Sequence, residues 1–345
     1  KISPSKAKKL FNTISISASS IERYASCPFR YFVEDGLKPT IPKKWGLESN
    51  EKGSFYHKII EIFSNEIMSY DKNKLLSLNK EDIEKKIDSI CENELKARKD
   101  TPFMSTKREQ AKSAGIISLI KECSNVIVRG LQASSFVLSE SEYAFGKAGG
   151  KKAISIPLSN GKNINLSGVI DRIDSFEKDG KRYFRIIDYK SGKKSLNASD
   201  IYRGLSLQLI IYLAAKLQEE SDLIPAGAYY QWLGDIMLEN DERLGAFEEE
   251  QQILSNLKLD GIALADKDIL KAMDSEGISI KQTLTKDGNI SKNSLVLQEE
   301  GFKKLISFAI KKTADIAENI LSGNFDATPS SPKGKTSPCD YCSFM

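Results

Sequence analysis

The chain has 345 residues, 40% of them hydrophobic and 28% charged, which is typical of a folded globular protein and excludes an extended disordered chain. The longest apolar runs, such as 209–215, are too short to span a bilayer, and no apolar signal-peptide segment follows the basic start, so we expect a cytoplasmic protein without a membrane span. The net charge of +4 permits a nucleic-acid partner but does not indicate one. Because residue 1 is Lys, we also expect a fragment of a longer protein.

Hydrophobic periodicity predicts helices in the first third of the chain and strands after it. The predicted helices in the first third are 17–32, 54–70, 80–98 and 107–132. The predicted strands are 136–145, 153–158, 164–176, 182–189 and 226–233. Two later helices are predicted at 199–218, apolar on nearly all sides and therefore buried, and at 299–321. Segment 40–52 is predicted to be a linker, and 239–297 shows no clear pattern.

An Asp-Gly pair at 179–180 lies between two of the β-rich runs. Such a pair predicts a hairpin closed by a two-residue type I′ turn, in which residues 178 and 181 face each other. Counting outward from the turn places Asp171 opposite Asp188. Lys190 lies two residues beyond Asp188 and therefore projects from the same face of the strand.

Two facing carboxylates have Cβ atoms about 4.5–5.5 Å apart, and they repel each other unless a cation lies between them. Mg²⁺ suits such a pair because it takes oxygen ligands and keeps several waters. The cation would activate a water, and the lysine would orient that water or stabilise charge on a scissile phosphate. The alternative is a surface hairpin with ordinary salt bridges. Apolar neighbours of the acids, among them Ile170 and Ile187, favour a buried site.

Two helices supply further candidates. His57 is the only histidine, and it lies off the apolar stripe of its helix, so it is either a solvated surface residue or a metal ligand. Gln208 and Tyr212 are four residues apart and share one helix face. A glutamine among apolar neighbours needs a hydrogen-bond partner. This pair either forms a structural hydrogen bond or faces the hairpin and the backbone of a bound nucleic acid.

The five cysteines fall into two groups. Cys91 and Cys123 lie on apolar helix faces and are predicted to be small core residues. Cys339 and Cys342 form a C-x-x-C in a proline-rich tail, and Cys27 lies near the other end of the chain. In a reducing compartment these three are better interpreted as metal or cluster ligands than as disulfide partners, although a lone C-x-x-C can be incidental.

The order of these motifs resembles that in a known nuclease family. Gly53-x-x-x-His57, Gly168-Val-Ile-Asp171, Asp188-Tyr-Lys190 and Gln208-x-x-x-Tyr212 resemble the RecB-like branch of the PD-(D/E)XK nucleases. The segments around Cys27, Cys339 and Cys342, together with 260–266 and 273–274, are similar to the C-terminal nuclease domain of AddB-type helicase/deoxyribonuclease subunits. The resemblance covers nearly the whole chain and implies an α/β PD-(D/E)XK fold, a central mixed β-sheet flanked by helices after an N-terminal helical section.

The resemblance also implies roles for individual residues. His57, Asp171, Asp188 and the Tyr189 carbonyl would bind Mg²⁺ or Mn²⁺, and Lys190 would be the catalytic lysine beside Asp171 and Asp188. Gln208 and Tyr212 would support the site and the DNA strand. Family members hold a [4Fe–4S] cluster with four cysteines. Cys27, Cys339 and Cys342 match three of these, and the fourth position is absent from this sequence.

We therefore expect residues 1–345 to be one nuclease domain of a larger bacterial protein. Its parts would be a helical section (54–135), a catalytic sheet core (136–235), an insert (239–297) and a C-terminal helix with the cysteine tail (299–345). It would be a metal-dependent DNA exonuclease that processes double-strand ends for recombinational repair by digesting the unwound single strand. It would act in a heterodimer with a second helicase–nuclease subunit. Lys193 and Lys194, just past the catalytic strand, are candidate phosphate contacts or simply solvated lysines.

Two alternatives to this function remain open. One is another RecB-like nuclease, such as a CRISPR-associated one, which carries similar motifs and cysteines. The other is a non-catalytic DNA-binding scaffold. Intact Asp171, Asp188 and Lys190 argue against the scaffold, because a degenerate site would be expected to lose at least one of them.

Overall fold

A computed structural model describes residues 1–11, 15–39, 46, 49–98, 101–234, 245–330, 337–342 and 344. The strands are β1 (Ser15–Ser17), β2 (Val137–Phe145), β3 (Ile154–Pro157), β4 (Asn163–Lys178), β5 (Lys181–Lys190), β6 (Ile224–Trp232), β7 (Asp260–Leu264) and β8 (Val296–Leu297). The helices before β2 are α1 (Pro4–Leu10), α2 (Ala18–Ser26), α3 (Pro28–Tyr31), α4 (Ser49–Met68), α5 (Lys72–Ser77), α6 (Lys80–Ala97) and α7 (Lys107–Gln132). Those that follow are α8 (Ala198–Arg203), α9 (Gln208–Glu219), α10 (Ala246–Asn256), α11 (Lys267–Met273) and α12 (Glu299–Leu321).

The described strands form one mixed sheet of eight strands, in the order β1-β4-β5-β6-β7-β8, with β2 and β3 also paired to β4. The long strand β4 lies between β1 and β3 at its start and between β2 and β5 further on. Strand β5 pairs antiparallel with β4 and parallel with β6. Because helices cover both faces, the central strands are buried on both sides. The predicted α/β class with a central mixed sheet is confirmed.

Local chemistry explains why several predicted elements match the structure. Helices α7 and α12 have the predicted bounds, and α7 begins where the Thr106 hydroxyl accepts a hydrogen bond from the Glu109 N–H. The hairpin turn is as predicted, because Asp179 and Gly180 have φ of 51° and 72°, the positive values that a type I′ turn requires. Lys178 faces Lys181 in the observed register.

Two predicted helices are wrong because the chain breaks each of them. The helix predicted at 17–32 stops at Cys27, where Pro28 starts a new helix in the first-turn position that suits proline. The helix predicted at 199–218 divides into α8 and α9 because Gly204, with φ of 86°, ends α8 in the left-handed conformation. The part that becomes α9 is buried along most of its length, as its all-round apolar character predicted.

Elements that the sequence pattern left unassigned also contribute to the sheet. The segment 239–297 contains α10, β7, α11 and β8 among its described residues. Strand β1 was not predicted; it pairs with β4 in the parallel direction. The predicted linker at 40–52 lies mostly outside the described residues, and α4 already begins at Ser49.

No helix in the described part of the chain is both long and apolar enough to cross a membrane.

Candidate active site

Three acidic residues occupy neighbouring positions on three adjacent strands. The β4–β5 ladder is paired as far as Arg172 and Ile187, and one further step in the same register places Asp171 opposite Asp188. On the other side of β4, Ser141 pairs with Arg172 and Tyr143 with Ile170, so Glu142 lies opposite Asp171. Asp171 therefore has an acid on each neighbouring strand. Such a set of carboxylates requires positive charge nearby.

Asp171 occupies the point at which the β4–β5 ladder ends. Its Oδ2 accepts a hydrogen bond from the backbone N–H of Tyr189 at 2.6 Å. The bond fixes the Asp171 carboxylate between the strands and leaves Oδ1 directed at His57, whose Nδ1 lies 3.4 Å away. A side chain held by a backbone donor is pre-positioned for a ligand.

Asp188 and Lys190 form an ion pair on one face of β5, as their spacing predicted, with 2.5 Å between Oδ2 and Nζ. Asp188 is only 2% exposed, whereas the Lys190 side chain is 27% exposed. Burial raises the pKa of Asp188 to about 6, with Lys190 opposing the rise and Asp171 adding to it. Apart from the Lys190 ammonium, Asp188 Oδ2 has no partner among the described residues. The single positive charge of Lys190 therefore does not balance the negative charge of Asp188 and Asp171.

His57 lies on α4, which packs against β2, and its ring contacts Asp171. Its side chain is 36% exposed, so it is neither a core histidine nor a fully solvated one. Burial alone would lower the pKa of His57, but the neighbouring carboxylates of Asp171 and Asp188 outweigh it, and the pKa is raised. The surface interpretation of His57 does not account for this contact with Asp171.

Glu142 is the functional candidate that the sequence pattern missed. Its φ is 51°, an uncommon backbone conformation for a residue other than glycine and one that costs free energy. Burial, followed by the charges of Asp171 and Glu61, raises the pKa of Glu142 to about 7. The available signal was an acidic residue inside a β-rich run, where acids are disfavoured. Its partner could not be identified without the pairing of β2.

Helix α9 brings the predicted supporting pair against this site. The Gln208 side-chain amide donates a hydrogen bond to the Tyr212 hydroxyl at 2.7 Å. An added Cβ at Gly168 would lie 2.9 Å from Tyr212 Cε1, so glycine permits the close approach of Tyr212 to β4. Burial and the charges of Asp188 and Asp171 all raise the pKa of Tyr212. Gln208 and Tyr212 therefore form a structural hydrogen bond, and Tyr212 also lies near the acids.

Glu22 of α2 connects α9 to the segment after β5. Its Oε1 accepts the Gln208 backbone N–H at 2.8 Å, and its Oε2 accepts the Lys194 ammonium at 2.8 Å. Leu207, the N-cap residue of α9, forms no side-chain capping hydrogen bond. Glu22 therefore caps the helix from a distant part of the sequence. Lys194, a candidate phosphate contact by its position in the sequence, is thereby engaged with Glu22.

A second charged cluster lies on the opposite face of the hairpin. Arg172 donates to Asp174 through Nε at 2.6 Å and Nη2 at 2.7 Å, and Arg185 Nε donates to the same carboxylate at 2.8 Å. Arg185 also donates to the Met273 carbonyl of α11 at 3.2 Å. Burial opposes the Asp174 charge, but the two arginines outweigh it and lower the pKa of Asp174. This buried cluster fixes the hairpin that carries the acids.

The donor atoms fit a hard divalent cation. Oxygen or nitrogen atoms of His57, Glu142 and Asp171 lie within 4.8 Å of one another, the one such group of three metal-ligating side chains in the described part of the chain. Carboxylate oxygens with one imidazole suit Mg²⁺ or Mn²⁺ better than a thiolate-preferring metal. Asp188 lies outside this group and is paired with Lys190.

The cysteines do not form a complete site. Cys91 and Cys123 are buried, as predicted, and burial raises the pKa of each thiol to about 12. Cys27 is buried, and Cys339 and Cys342 are partly exposed. The Ser330 N–H donates to the Ser26 carbonyl at 2.7 Å, so the tail passes beside Cys27. Three cysteines are one fewer than a four-cysteine cluster requires.

A mixed sheet that presents acids and a lysine at the end of a central hairpin has the chemical groups that phosphodiester hydrolases use. The family model of the PD-(D/E)XK nuclease superfamily matches residues 15–345. The chain therefore belongs to the PD-(D/E)XK nuclease superfamily.

Curated relatives match the chain from end to end. It is 36% identical to the B subunit of the ATP-dependent helicase/deoxyribonuclease of Thermoanaerobacter sp. (strain X514), over 99% of the chain and 30% of that protein. It is 36% identical to the protein of the same name from Caldanaerobacter subterraneus subsp. tengcongensis, over 100% of the chain and 30% of the relative. The relative from Clostridioides difficile (strain 630) is 32% identical, over 100% and 31%. The chain thus spans less than a third of the length of these relatives.

Proposed function

We propose that this chain is a Mg²⁺- or Mn²⁺-dependent deoxyribonuclease domain that hydrolyses the phosphodiester bonds of single-stranded DNA. The observation that carries the proposal is the neighbouring position of Glu142, Asp171 and Asp188 on adjacent strands, with His57 in contact with Asp171 and Lys190 in contact with Asp188. The unusual backbone conformation of Glu142, opposite Asp171, favours a functional site over a scaffold, because strained residues cluster at functional sites. The relatives' shared name supports the nuclease of a helicase–nuclease over a CRISPR-associated enzyme.

Each side chain has a role in this proposal. His57, Asp171, Asp188 and the Tyr189 carbonyl would hold the cation, with Glu142 as an additional ligand. Such a cation would supply an activated water and would neutralise charge on the phosphate. Lys190 exchanges its partner Asp188 for the scissile phosphate, which its partly exposed side chain can reach from β5. The hydrogen bond from Gln208 to Tyr212 holds these two side chains of α9 in place near the acids.

The larger context is proposed from the relatives and the sequence. Residues 1–345 act as one nuclease domain of a longer cytoplasmic protein, which pairs with a second helicase–nuclease subunit in a heterodimer and processes double-strand ends for recombinational repair. Cys27, Cys339 and Cys342 are three ligands of a [4Fe–4S] cluster that needs a fourth. The residues present do not complete that site, and no step of the proposed hydrolysis passes through it.

Cleavage of an end-labelled single strand tests the proposed function. With Mg²⁺ or Mn²⁺ the wild-type chain should degrade the strand, and EDTA should stop the reaction. Lys190→Ala should reduce kcat by about 10²–10³-fold, the usual effect of removing a group that stabilises developing charge. Lys178→Ala is the matched control, because Lys178 lies on the same hairpin but pairs with the exposed Asp268. Failure of the wild type to cleave, or equal rates for both variants, would refute the proposal.

Metal binding without DNA tests the additional role of Glu142. Glu142→Gln should weaken Mn²⁺ binding by about tenfold or more, measured by electron paramagnetic resonance of the free ion, because a carboxylate ligand is lost. Glu140→Gln is the control: Glu140 is two residues earlier on β2 but pairs with Lys216 at 2.6 Å. Equal Mn²⁺ affinity in the two variants would remove Glu142 from the ligand set.

A further inference from the structure

Two aromatic side chains of β6 extend the catalytic face beyond the acids. In the parallel β5–β6 pairing Asp188 is opposite Tyr230 and Lys190 is opposite Trp232. Side chains at paired positions of neighbouring strands project from the same face of a sheet. Tyr230 and Trp232 therefore lie beside Asp188 and Lys190, the two β5 residues that act in the proposed hydrolysis. Tyr230 is buried, whereas Trp232 is only partly covered.

Lysines lie over both of these rings. The ammonium groups of Lys190 and Lys194 are 5.9 Å and 4.8 Å from the centroid of the Tyr230 ring, and that of Lys193 is 4.3 Å from the Trp232 centroid. Lys190 and Lys194 also pair with carboxylates, at Asp188 and Glu22. Lys193 is exposed and is absent from the ion pairs found among the described residues. Its charge is therefore available to a ligand.

The Trp232 indole is held in a fixed orientation. Its Nε1–H donates a hydrogen bond to the Ser191 carbonyl at 3.2 Å, which ties β6 to the segment after the catalytic lysine. An added Cβ at Gly234 would lie 2.1 Å from Trp232 Cε2, so the ring rests against the backbone of that glycine. The other partner of the ring is the exposed ammonium of Lys193. A ring fixed in this way is pre-organised for stacking.

We propose that Trp232 and Lys193 bind the nucleotide next to the scissile phosphate of a single DNA strand. This inference rests on the proposed function and adds a base-binding subsite to it. The base stacks on the Trp232 indole and displaces the Lys193 ammonium, which moves to the adjoining phosphate. Stacking on an aromatic ring is worth more to a base than an exposed cation–aromatic contact is to a lysine. Bases of a duplex already stack on each other, so the subsite selects single strands.

Fluorescence of Trp232 tests the subsite directly. The chain has two tryptophans, Trp45 and Trp232, so Trp45→Phe leaves Trp232 as the single reporter. This variant is titrated with a short oligo-dT in EDTA, where metal-dependent cleavage does not run. We expect saturable quenching by the single strand and much weaker quenching by a duplex of equal length. Lys193→Ala, made in the same background, should weaken binding and reduce its salt dependence. Lys85→Ala, which removes an exposed charge on α6, should not.

Unchanged Trp232 fluorescence overturns the inference, whether the oligonucleotide binds elsewhere or does not bind. Equal quenching by duplex and single strand overturns the selectivity. Trp232→Leu should raise KM for a single strand by about tenfold with little change in kcat, since one stacked base is lost. The nuclease assignment is measured separately, as Mg²⁺-dependent cleavage of the same oligonucleotide by the Trp45→Phe chain. Cleavage without quenching would therefore reject the subsite and keep the nuclease.

Discussion

Asp188→Asn should abolish DNA cleavage, with a loss of about 10³-fold or more, and leave the chain folded. The amide fills the volume of the carboxylate but is a poor ligand for a hard cation. It also removes the buried negative charge that faces Asp171. Because burial raises the pKa of Asp188 to about 6, above its ordinary value, ionised Asp188 destabilises the folded state near pH 7. The neutral amide should therefore unfold at an equal or higher urea concentration than the wild type.

Two measurements on purified Asp188→Asn check this prediction: the rate of single-strand cleavage in Mg²⁺ and the urea midpoint. Asp179→Asn is the matched control, since Asp179 is exposed in the turn of the same hairpin, and asparagine tolerates its φ of 51°. The control should keep full activity. Wild-type activity in Asp188→Asn would remove Asp188 from the site. Inactivity with a strongly lowered urea midpoint would mean that Asp188 serves the fold.

Asp174→Ala should destabilise the chain more than any other single change considered. The carboxylate lies between Arg172 and Arg185, and all three side chains are at most 3% exposed. Removing it leaves two buried guanidinium groups without their counter-charge, which costs about 3–5 kcal/mol in comparable cases. Arg185 has little other compensation, since its Nη2 has no hydrogen-bond partner among the described residues.

Urea unfolding measured by far-ultraviolet circular dichroism checks the loss. Asp268→Ala is the control: Asp268 forms an ion pair with Lys178 at 2.5 Å, but it is 67% exposed. Exposed pairs contribute about 0–1 kcal/mol, so the control should unfold close to the wild type. If Asp174→Ala and Asp268→Ala unfold at similar urea concentrations, the buried cluster does not stabilise the hairpin.

Local signals account for the part of the site that the sequence predicted. The Asp-Gly turn fixes the register of β4 and β5, and the register fixes which residues lie opposite each other. Lys190 follows from the two-residue period of a strand, and the pair of Gln208 and Tyr212 from the helical period. The turn, the strand period and the helical period each act over a few residues and can be read from one sequence.

Long-range pairing accounts for what the sequence did not predict. Glu142 meets Asp171 only because β2 pairs with β4 in a register shifted by an irregularity between Leu138 and Glu140. Glu22 caps α9 from 186 residues away. The break at Gly204 was missed because the apolar pattern continues across it. Tertiary contacts decided the first two, and no local pattern encodes them, whereas Gly204 is a local helix-ending residue that the apolar pattern obscured.

Anomalous diffraction from crystals of the wild-type chain grown with Mn²⁺ would test the central geometry most directly. We predict one strong Mn²⁺ peak about 2.1 Å from carboxylate oxygens of both Asp171 and Asp188, with the Lys190 ammonium moved away from Asp188. No peak between these two acids, with the Asp188–Lys190 ion pair intact at a saturating Mn²⁺ concentration, would contradict the metal site on which the proposed nuclease activity depends.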